Sequence, residues 1–260
     1  MSTAESRGRL YLVPTPLDHG CAEQAPISDV LPLGTLQVAA RLTHWVSENA
    51  KSTRAFLKRV DALVPLAQPL QMQAITELPR VVHKKGDHDR HSAPPDARPL
   101  LAAALQGQDI GLISEAGMPA VADPGSSVVR AAHALGISVV PLVGPVSLLL
   151  ALAASGLNGQ SFAFVGYVPQ EAAARAQRLR ELEATARKSG QTQLFIETPY
   201  RNAALLQALL QALQPTTRLA VCQGLTLAQA RCASQSVEEW RRAPPPHPAL
   251  ALPAVYAIGR

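Results

Sequence analysis

The stretch GLISEAGMPAVADPG, Gly111 to Gly125, decides the fold. It begins inside a short apolar run, Asp109 to Ser114 (DIGLIS), and continues through Gly117, Pro119, Pro124 and Gly125 into Val128 to Leu135, which Gly136 closes. An apolar run bounded by turn residues reads as a buried strand. Strand, glycine loop and helix in succession are the repeating unit of an α/β domain. Ligands of open α/β sheets sit beyond the carboxyl ends of the strands, so this loop is also the first candidate binding site. Gly117 lets a ligand approach the backbone closely, and Asp123 ahead of Pro124 is expected to cap the helix that follows. The competing reading is an ordinary strand-to-helix connection, although those are usually shorter and poorer in Gly and Pro. The loop is neither GxGxxG nor a P-loop, and no phosphate-gripping lysine follows it, which argues against NAD and ATP.

Outward from this stretch the pattern repeats. On the N-terminal side, Arg9 to Pro14 (RLYLVP) reads as a strand, Thr35 to Leu42 as a helix, His44 to Ser47 as a strand and Ser52 to Val60 as a basic helix. Residues 71–82 are ambiguous, 83–95 form a polar loop, and Leu100 to Leu105 is a short helix ended by Gly107. On the C-terminal side, Ile137 to Leu142 is a strand and Ser147 to Ala154 a helix. From Gln160 the character changes: strands are expected at 162–167, 194–196, 219–222 and 254–258, with helices at 171–188 and 202–213. A domain boundary is expected near Ser155 to Gly159, giving domains 8–156 and 157–260. Ile137 to Leu157 is apolar and about long enough to span a bilayer, but Pro141, Gly144 and Pro145 interrupt it, so it reads as strand, turn and buried helix.

Composition narrows the function classes. The 260 residues are 47% hydrophobic and 17% charged, with a net charge of +5, which describes a globular chain that tolerates but does not demand an anionic partner. Aromatics are only 4%, so base-stacking platforms are not expected. Cys21, Cys222 and Cys232 form no CxxC pair, which argues against a disulfide framework and a zinc site and points to reduced thiols. The opening MSTAESRGRL has no apolar core, so no signal peptide is expected. His83, His88 and His91 with Asp87 and Asp89 match no zinc spacing, and no metal is expected.

The segments ISEAGMPAVADPG, VVPLVGPVS, SGLNGQSFAFVGYVP and FIETPYR follow one another in an order and spacing that resembles the tetrapyrrole methylase superfamily of S-adenosylmethionine-dependent methyltransferases. LYLVPTPL and HWVSENAKSTRAFLKRV fit as well. The chain is most similar to the branch containing a bacterial methyltransferase that acts on a ribose 2′-oxygen of small-subunit ribosomal RNA, and to shorter relatives in that branch. The resemblance implies two α/β domains, the first with a mostly parallel sheet and the second with a mixed sheet, a homodimer, and S-adenosylmethionine held in a cleft between the domains; the reduced thiols and the lack of an expected signal peptide point to the cytoplasm. It implies that Pro14, Ser114, Glu115, Ala116, Gly117, Met118, Pro119, Val143, Gly144, Ser147, Tyr167, Pro253 and Ala254 surround that cofactor. The chain departs from the branch at Leu17-Asp18-His19, Glu48-Asn49-Ala50-Lys51 and Thr198-Pro199-Tyr200-Arg201, all on the expected acceptor side, so the acceptor is not assigned by the resemblance.

Methyl transfer from a sulfonium needs the nucleophile placed in line with the departing sulfur, and a hydroxyl acceptor also needs help losing its proton. Glu115 is a candidate base or a partner of the cofactor amine, with loop organisation as the alternative; Glu48 is a second candidate, with pairing to Lys51 or Arg54 as its alternative. Glu197 and Arg201 are expected to form an ion pair. Lys51, Arg54, Lys58 and Arg59 form one basic cluster, and Arg175, Arg178 and Arg180 another that Glu181 and Glu183 dilute; each is a candidate RNA surface or a solvated helix face. His83-Lys84 is a candidate substrate flap. Three readings follow: a methyltransferase acting on RNA, a methylase of a small tetrapyrrole-like molecule, and a non-catalytic S-adenosylmethionine-binding protein.

Overall fold

The computed structural model describes residues 7–18, 20–79, 96–243 and 251–260. The loop at 83–95 and its histidines therefore lie outside the described residues. The chain forms two compact units, one of 1–20 and 25–146, the other of 21–24 and 147–260.

In the first unit the elements run β1 (Leu10–Val13), α1 (Ile27–Val30), α2 (Leu33–Arg41), β2 (His44–Ser47), α3 (Ala50–Asp61), β3 (Ala74–Glu77), α4 (Ala102–Leu105), β4 (Ile110–Ile113), α5 (Ser126–Ala134) and β5 (Val139–Pro141). All five strands are parallel, in the order β3-β2-β4-β1-β5. The ambiguous stretch at 71–82 resolves into a 3-10 turn at Leu70–Met72 followed by edge strand β3.

Alternation along the strands feeds two cores, as a parallel sheet covered on both faces requires. Tyr11, Val13, Trp45 and Ile113 point to one face and meet Leu36, Phe56, Leu57 and Val60 of α2 and α3. Leu10, Val46, Ile110 and Leu112 point to the other and meet Leu101, Ala104, Val128 and Ala132. Gly111 is the register partner of Trp45, and a Cβ there would lie 2.5 Å from the indole. The absent side chain is what lets the indole lie against the centre of the sheet, where its Nε1 donates to Gln73 at 3.0 Å.

The second unit contains α6 (Ser147–Ser155), β6 (Phe162–Tyr167), α7 (Ala172–Ser189), β7 (Thr192–Glu197), α8 (Asn202–Ala212), β8 (Arg218–Gln223), β9 (Arg231–Ser236), α9 (Val237–Arg242) and β10 (Ala254–Gly259). Its sheet is mixed, in the order β6-β7-β10-β8-β9: β6 and β7 are parallel, and the remaining pairs are antiparallel. Helix α6 packs on β8, β9 and β10, so the compact unit begins at Ser147, and the expected boundary at 156–157 falls at the far end of this helix. Strand β9 and helix α9, which the hydrophobic pattern did not suggest, begin at the hydrophilic run RCASQS; α9 is held by a Ser236–Glu239 capping box. Phe195 and Tyr256 stack at the centre of the core, with ring centroids 5.7 Å apart. Among the described residues no helix is long and apolar enough to cross a membrane.

Candidate functional site

In a parallel sheet every strand delivers its following loop to the same edge. Pro14 follows β1, Glu48 follows β2, Ser114 to Pro119 follow β4, and Val143 and Gly144 follow β5. The expected first-unit residues are thereby gathered at one edge. They are also tied together. Thr15 and Gly117 exchange backbone hydrogen bonds of 3.0 and 3.1 Å, and Thr15 Oγ1 donates to the Ser114 carbonyl at 3.4 Å. Gly144 lies against Pro14 so closely that a Cβ would sit 2.3 Å from the proline Cγ. Thr35 Oγ1 donates to the Val143 carbonyl at 2.7 Å, which fixes the turn after β5 and leaves the Val143 side chain exposed.

The loop from Ser114 to Gly125 is strained. Gly117 has φ +75°, and Ala120 and Ala122 both have φ +64°. Left-handed alanines lack the polar side chain that eases this conformation and mark a backbone held in place by its surroundings. Asp123 does not cap the next helix: α5 begins at Ser126 with Gly125 as N-cap and no side-chain cap. The chain turns through Gly125 at φ +129° before the helix begins, so the helix start lies beyond the position that the sequence pattern expects. Asp123 is pushed up to about 7, chiefly by burial and then by the charges of Glu48 and Glu115.

Glu48 and Glu115 are therefore neighbours of Asp123 and of each other. The Glu48 carboxylate accepts from the Glu115 backbone N–H at 3.2 Å, which links the turn after β2 to the loop after β4. Next to Glu48, Asn49 caps α3 by accepting from Lys51 N and Ser52 N at 2.9 and 3.3 Å. Lys51, Arg54 and Lys58 are exposed on that helix at a spacing that keeps them on one face. Arg59 is committed elsewhere: it forms a bidentate pair with buried Asp18 at 3.1 and 3.0 Å and donates to the Ala25 carbonyl. Asp18, a departure from the branch pattern, thus anchors the segment after β1 to the basic helix.

The expected second-unit residues Tyr167 and Ala254 also share a sheet edge. Tyr167 ends β6 beside Ile196, and Ala254 begins β10 opposite Glu197 and Gln223. Pro253 accepts from Gly224 N at 3.0 Å, while Ser147 opens α6. Glu197 and Arg201 form the expected ion pair at 2.7 Å, with the carboxylate also accepting from Thr198 N. This edge adds residues that sequence reasoning missed. Gln223 Oε1 and Thr226 Oγ1 are buried atoms with no hydrogen-bond partner among the described residues. Thr226 adopts φ +70°, unusual for a β-branched residue. Only the turn glycine, Gly224, hinted at this in the sequence; which side-chain atoms go unsatisfied is a tertiary property.

The first-unit edge suits a cationic ligand that is bound largely by backbone groups. Three carboxylates raise the negative potential, and the glycines permit close approach. Those are the demands of S-adenosylmethionine, which carries a sulfonium and an ammonium. Among the described residues no cluster of side chains could hold a metal ion.

Comparison with known proteins agrees with this chemistry. The family of tetrapyrrole (corrin/porphyrin) methylases matches residues 46–240. The ribosomal RNA small subunit methyltransferase I of Halalkalibacterium halodurans is 28% identical over 243 residues, covering 92% of this chain and 72% of that protein. The Vibrio cholerae protein of the same name is 37% identical over 139 residues, 54% of this chain and 46% of the relative. Uroporphyrin-III C-methyltransferase of Thermus thermophilus, solved with S-adenyl homocysteine, shares the fold at TM-score 0.53 and 19% identity, covering 97% of this chain and 98% of that one. The chain belongs to the tetrapyrrole methylase family.

Proposed function

We propose that this S-adenosylmethionine-dependent methyltransferase acts on a hydroxyl of RNA, and that it works as a cytoplasmic homodimer. The observation that carries the reading is the similarity, over 92% of the chain, to a protein named for methylating small-subunit ribosomal RNA. The exposed basic face of α3 supports it. Lys51, Arg54 and Lys58 rise from the helix whose first turn adjoins Glu48, so cations suited to phosphates begin next to the acidic edge.

S-adenosylmethionine, when bound, supplies an electrophilic methyl on a positively charged sulfur. On the first unit, Pro14, Ser114 to Pro119, Val143 and Gly144 are the residues proposed to hold it; on the second, Ser147, Tyr167, Pro253 and Ala254, with the turn Gln223 to Thr226 added. Asp123 is the candidate proton acceptor, in preference to Glu115 and Glu48. A base serves best when its pKa lies near the working pH, and Asp123 sits at about 7. Glu48 and Glu115 then act as positioning residues: one holds the other's backbone, and both keep the Asp123 proton affinity high.

The test incubates the full chain with labelled S-adenosylmethionine and small-subunit particles from cells lacking the protein, then resolves the modified nucleosides. A single enzyme-dependent ribose methyl is the expected result. Labelling of no RNA component, with calorimetric cofactor binding intact, would refute the RNA reading while leaving the cofactor site standing. The triple variant K51A/R54A/K58A is expected to weaken RNA association and flatten its salt dependence by up to three phosphate contacts, with cofactor affinity unchanged. Light scattering reads the homodimer directly.

A further inference from the structure

Cys222 and Cys232 face each other across the hairpin of β8 and β9. They are register partners in an antiparallel pair, which places their Cα atoms about 4.5–5.5 Å apart, inside the roughly 4.4–6.8 Å a disulfide spans. Opposed residues of such a pair project from the same face of the sheet, so the two side chains are neighbours on one face. Their surroundings differ. Cys222 is 1% exposed on an inner strand, with its sulfur 3.7 Å from the Ala151 carbonyl of α6. Cys232 is exposed on the edge strand of the sheet. One sulfur is thus open to solvent while its neighbour is shielded, the arrangement of an attacking thiol backed by a resolving one.

We propose that Cys222 and Cys232 form a reversible oxidation site that closes into a cross-strand disulfide on exposure to a hydroperoxide. The Cys232 thiolate attacks the terminal peroxide oxygen, the O–O bond breaks, and the alkoxide leaves with a proton as an alcohol, or as water from hydrogen peroxide. The resulting Cys232 sulfenic acid is then attacked by the Cys222 sulfur; the S–S bond forms and water departs with the thiol proton. Two thiols are oxidised and one peroxide is reduced. Burial pushes the Cys222 thiol up to about 12, which assigns the first attack to Cys232 and the second step to its shielded neighbour.

The ring so closed contains Gln223 to Arg231, and with it Gly224, at φ +59°, and Thr226. Among the described residues this segment is held by turn hydrogen bonds from Leu227 N to the Gly224 carbonyl, from Ala230 N to the Leu227 carbonyl and from Gly224 N to the Pro253 carbonyl, and by Gln229 Nε2 donating to Glu23 at 2.6 Å. Oxidation therefore clamps the turn that carries the unsatisfied Gln223 and Thr226 atoms. The oxidation chemistry itself involves neither the methyl donor nor RNA, although the turn it clamps is one proposed to hold the donor.

The test treats the full-length reduced protein with hydrogen peroxide, blocks remaining thiols and maps peptides without reduction. The expected product is a Cys222–Cys232 linked peptide, lighter by two hydrogens and restored by dithiothreitol. In C222S, Cys232 is expected to accumulate as a dimedone-trappable sulfenic acid; in C232S, no link forms. A linkage to Cys21 or to a second chain, an oxidised Cys232 without a link in the unsubstituted protein, or no reaction at either thiol would overturn the proposal. Hydrogen exchange at the amides of Gly224 to Ala230 is expected to slow on the order of tenfold in the oxidised form, well below the ceiling that loop closure sets. Equal exchange in both forms would overturn the clamp.

Discussion

The two sheets present edges that hold different things in reserve. At the first, burial, and then the charges of Glu48 and Glu115 brought in by the loops after β2 and β4, push Asp123 up to about 7. At the second, the buried carboxylate Glu197 is neutralised by Arg201 at 2.7 Å, and the unmet demand is for hydrogen bonds, at Gln223 Oε1 and Thr226 Oγ1. Charge held together against repulsion suits a cation or a proton transfer. Unsatisfied neutral polar atoms suit a ligand that donates and accepts hydrogen bonds. The two edges differ in what they leave unmet, charge balance at one and hydrogen bonds at the other, and the largest effects of substitution should divide the same way.

Asp123→Asn tests the first edge most sharply. If Asp123 accepts the acceptor's proton, the methylation rate falls by roughly 10²–10⁴-fold while cofactor affinity changes little. The unsubstituted enzyme's rate rises with pH through about 7, and a lost rise in the variant would tie it to this group. A variant that keeps full activity would hand the role back to Glu115 or Glu48. Arg201→Ala tests the second edge. It leaves Glu197 buried without its cation, and loss of a buried partner costs about 3 kcal/mol at the lower end of such pairs. Denaturant unfolding followed by Trp240, which lies in this unit's core, would read the loss. Gly144→Ala sits next in size: its Cβ would press on Pro14, and forcing the turn aside costs about 1–3 kcal/mol.

Much of this was legible in the sequence, and the limits have physical causes. The parallel β/α alternation and the loop at 114–125 followed from apolar periodicity and turn residues, and the mixed second sheet from the family resemblance. Strand β9 did not, because RCASQS on an edge strand needs no hydrophobic alternation. The pairing of Cys222 with Cys232 was hidden for the same reason, since it depends on the register of that unforeseen hairpin. Asp123 was misread as a helix cap. An aspartate before Pro-Gly satisfies the local rule, but Gly125 at φ +129° turns the chain and moves the helix start beyond its reach. Arg59 read as part of a basic face, whereas Asp18, buried at 3% exposure, takes its guanidinium. Arg59 and the cysteine pair were decided by partners distant in sequence, Asp123 by the turn at Gly125.

The smallest predicted effect asks whether the first edge is maintained against stability. Asp123 titrates from about 7 in the folded chain, against 3.8 for the unperturbed group. Between those values the folded state binds the proton more tightly than the unfolded one, so the Asp123 contribution to stability falls as pH rises from about 4 to 7 and is flat above. Asn cannot ionise and escapes that loss. Asp123→Asn should therefore unfold like the unsubstituted protein near pH 4 and be more stable at pH 8. A shift of about three units sets a ceiling near 4 kcal/mol; solvent access and relaxation reduce this to about 1–2 kcal/mol. The pH dependence separates this from a simple packing gain, which would persist at pH 4. A variant both slower in methylation and more stable at pH 8 would mean that the acidic edge is retained for its chemistry. Equal stability at both pH values would mean that neither burial nor the charges of Glu48 and Glu115 make the folded chain hold the Asp123 proton more tightly, and the contrast between the two edges would rest on hydrogen bonding alone.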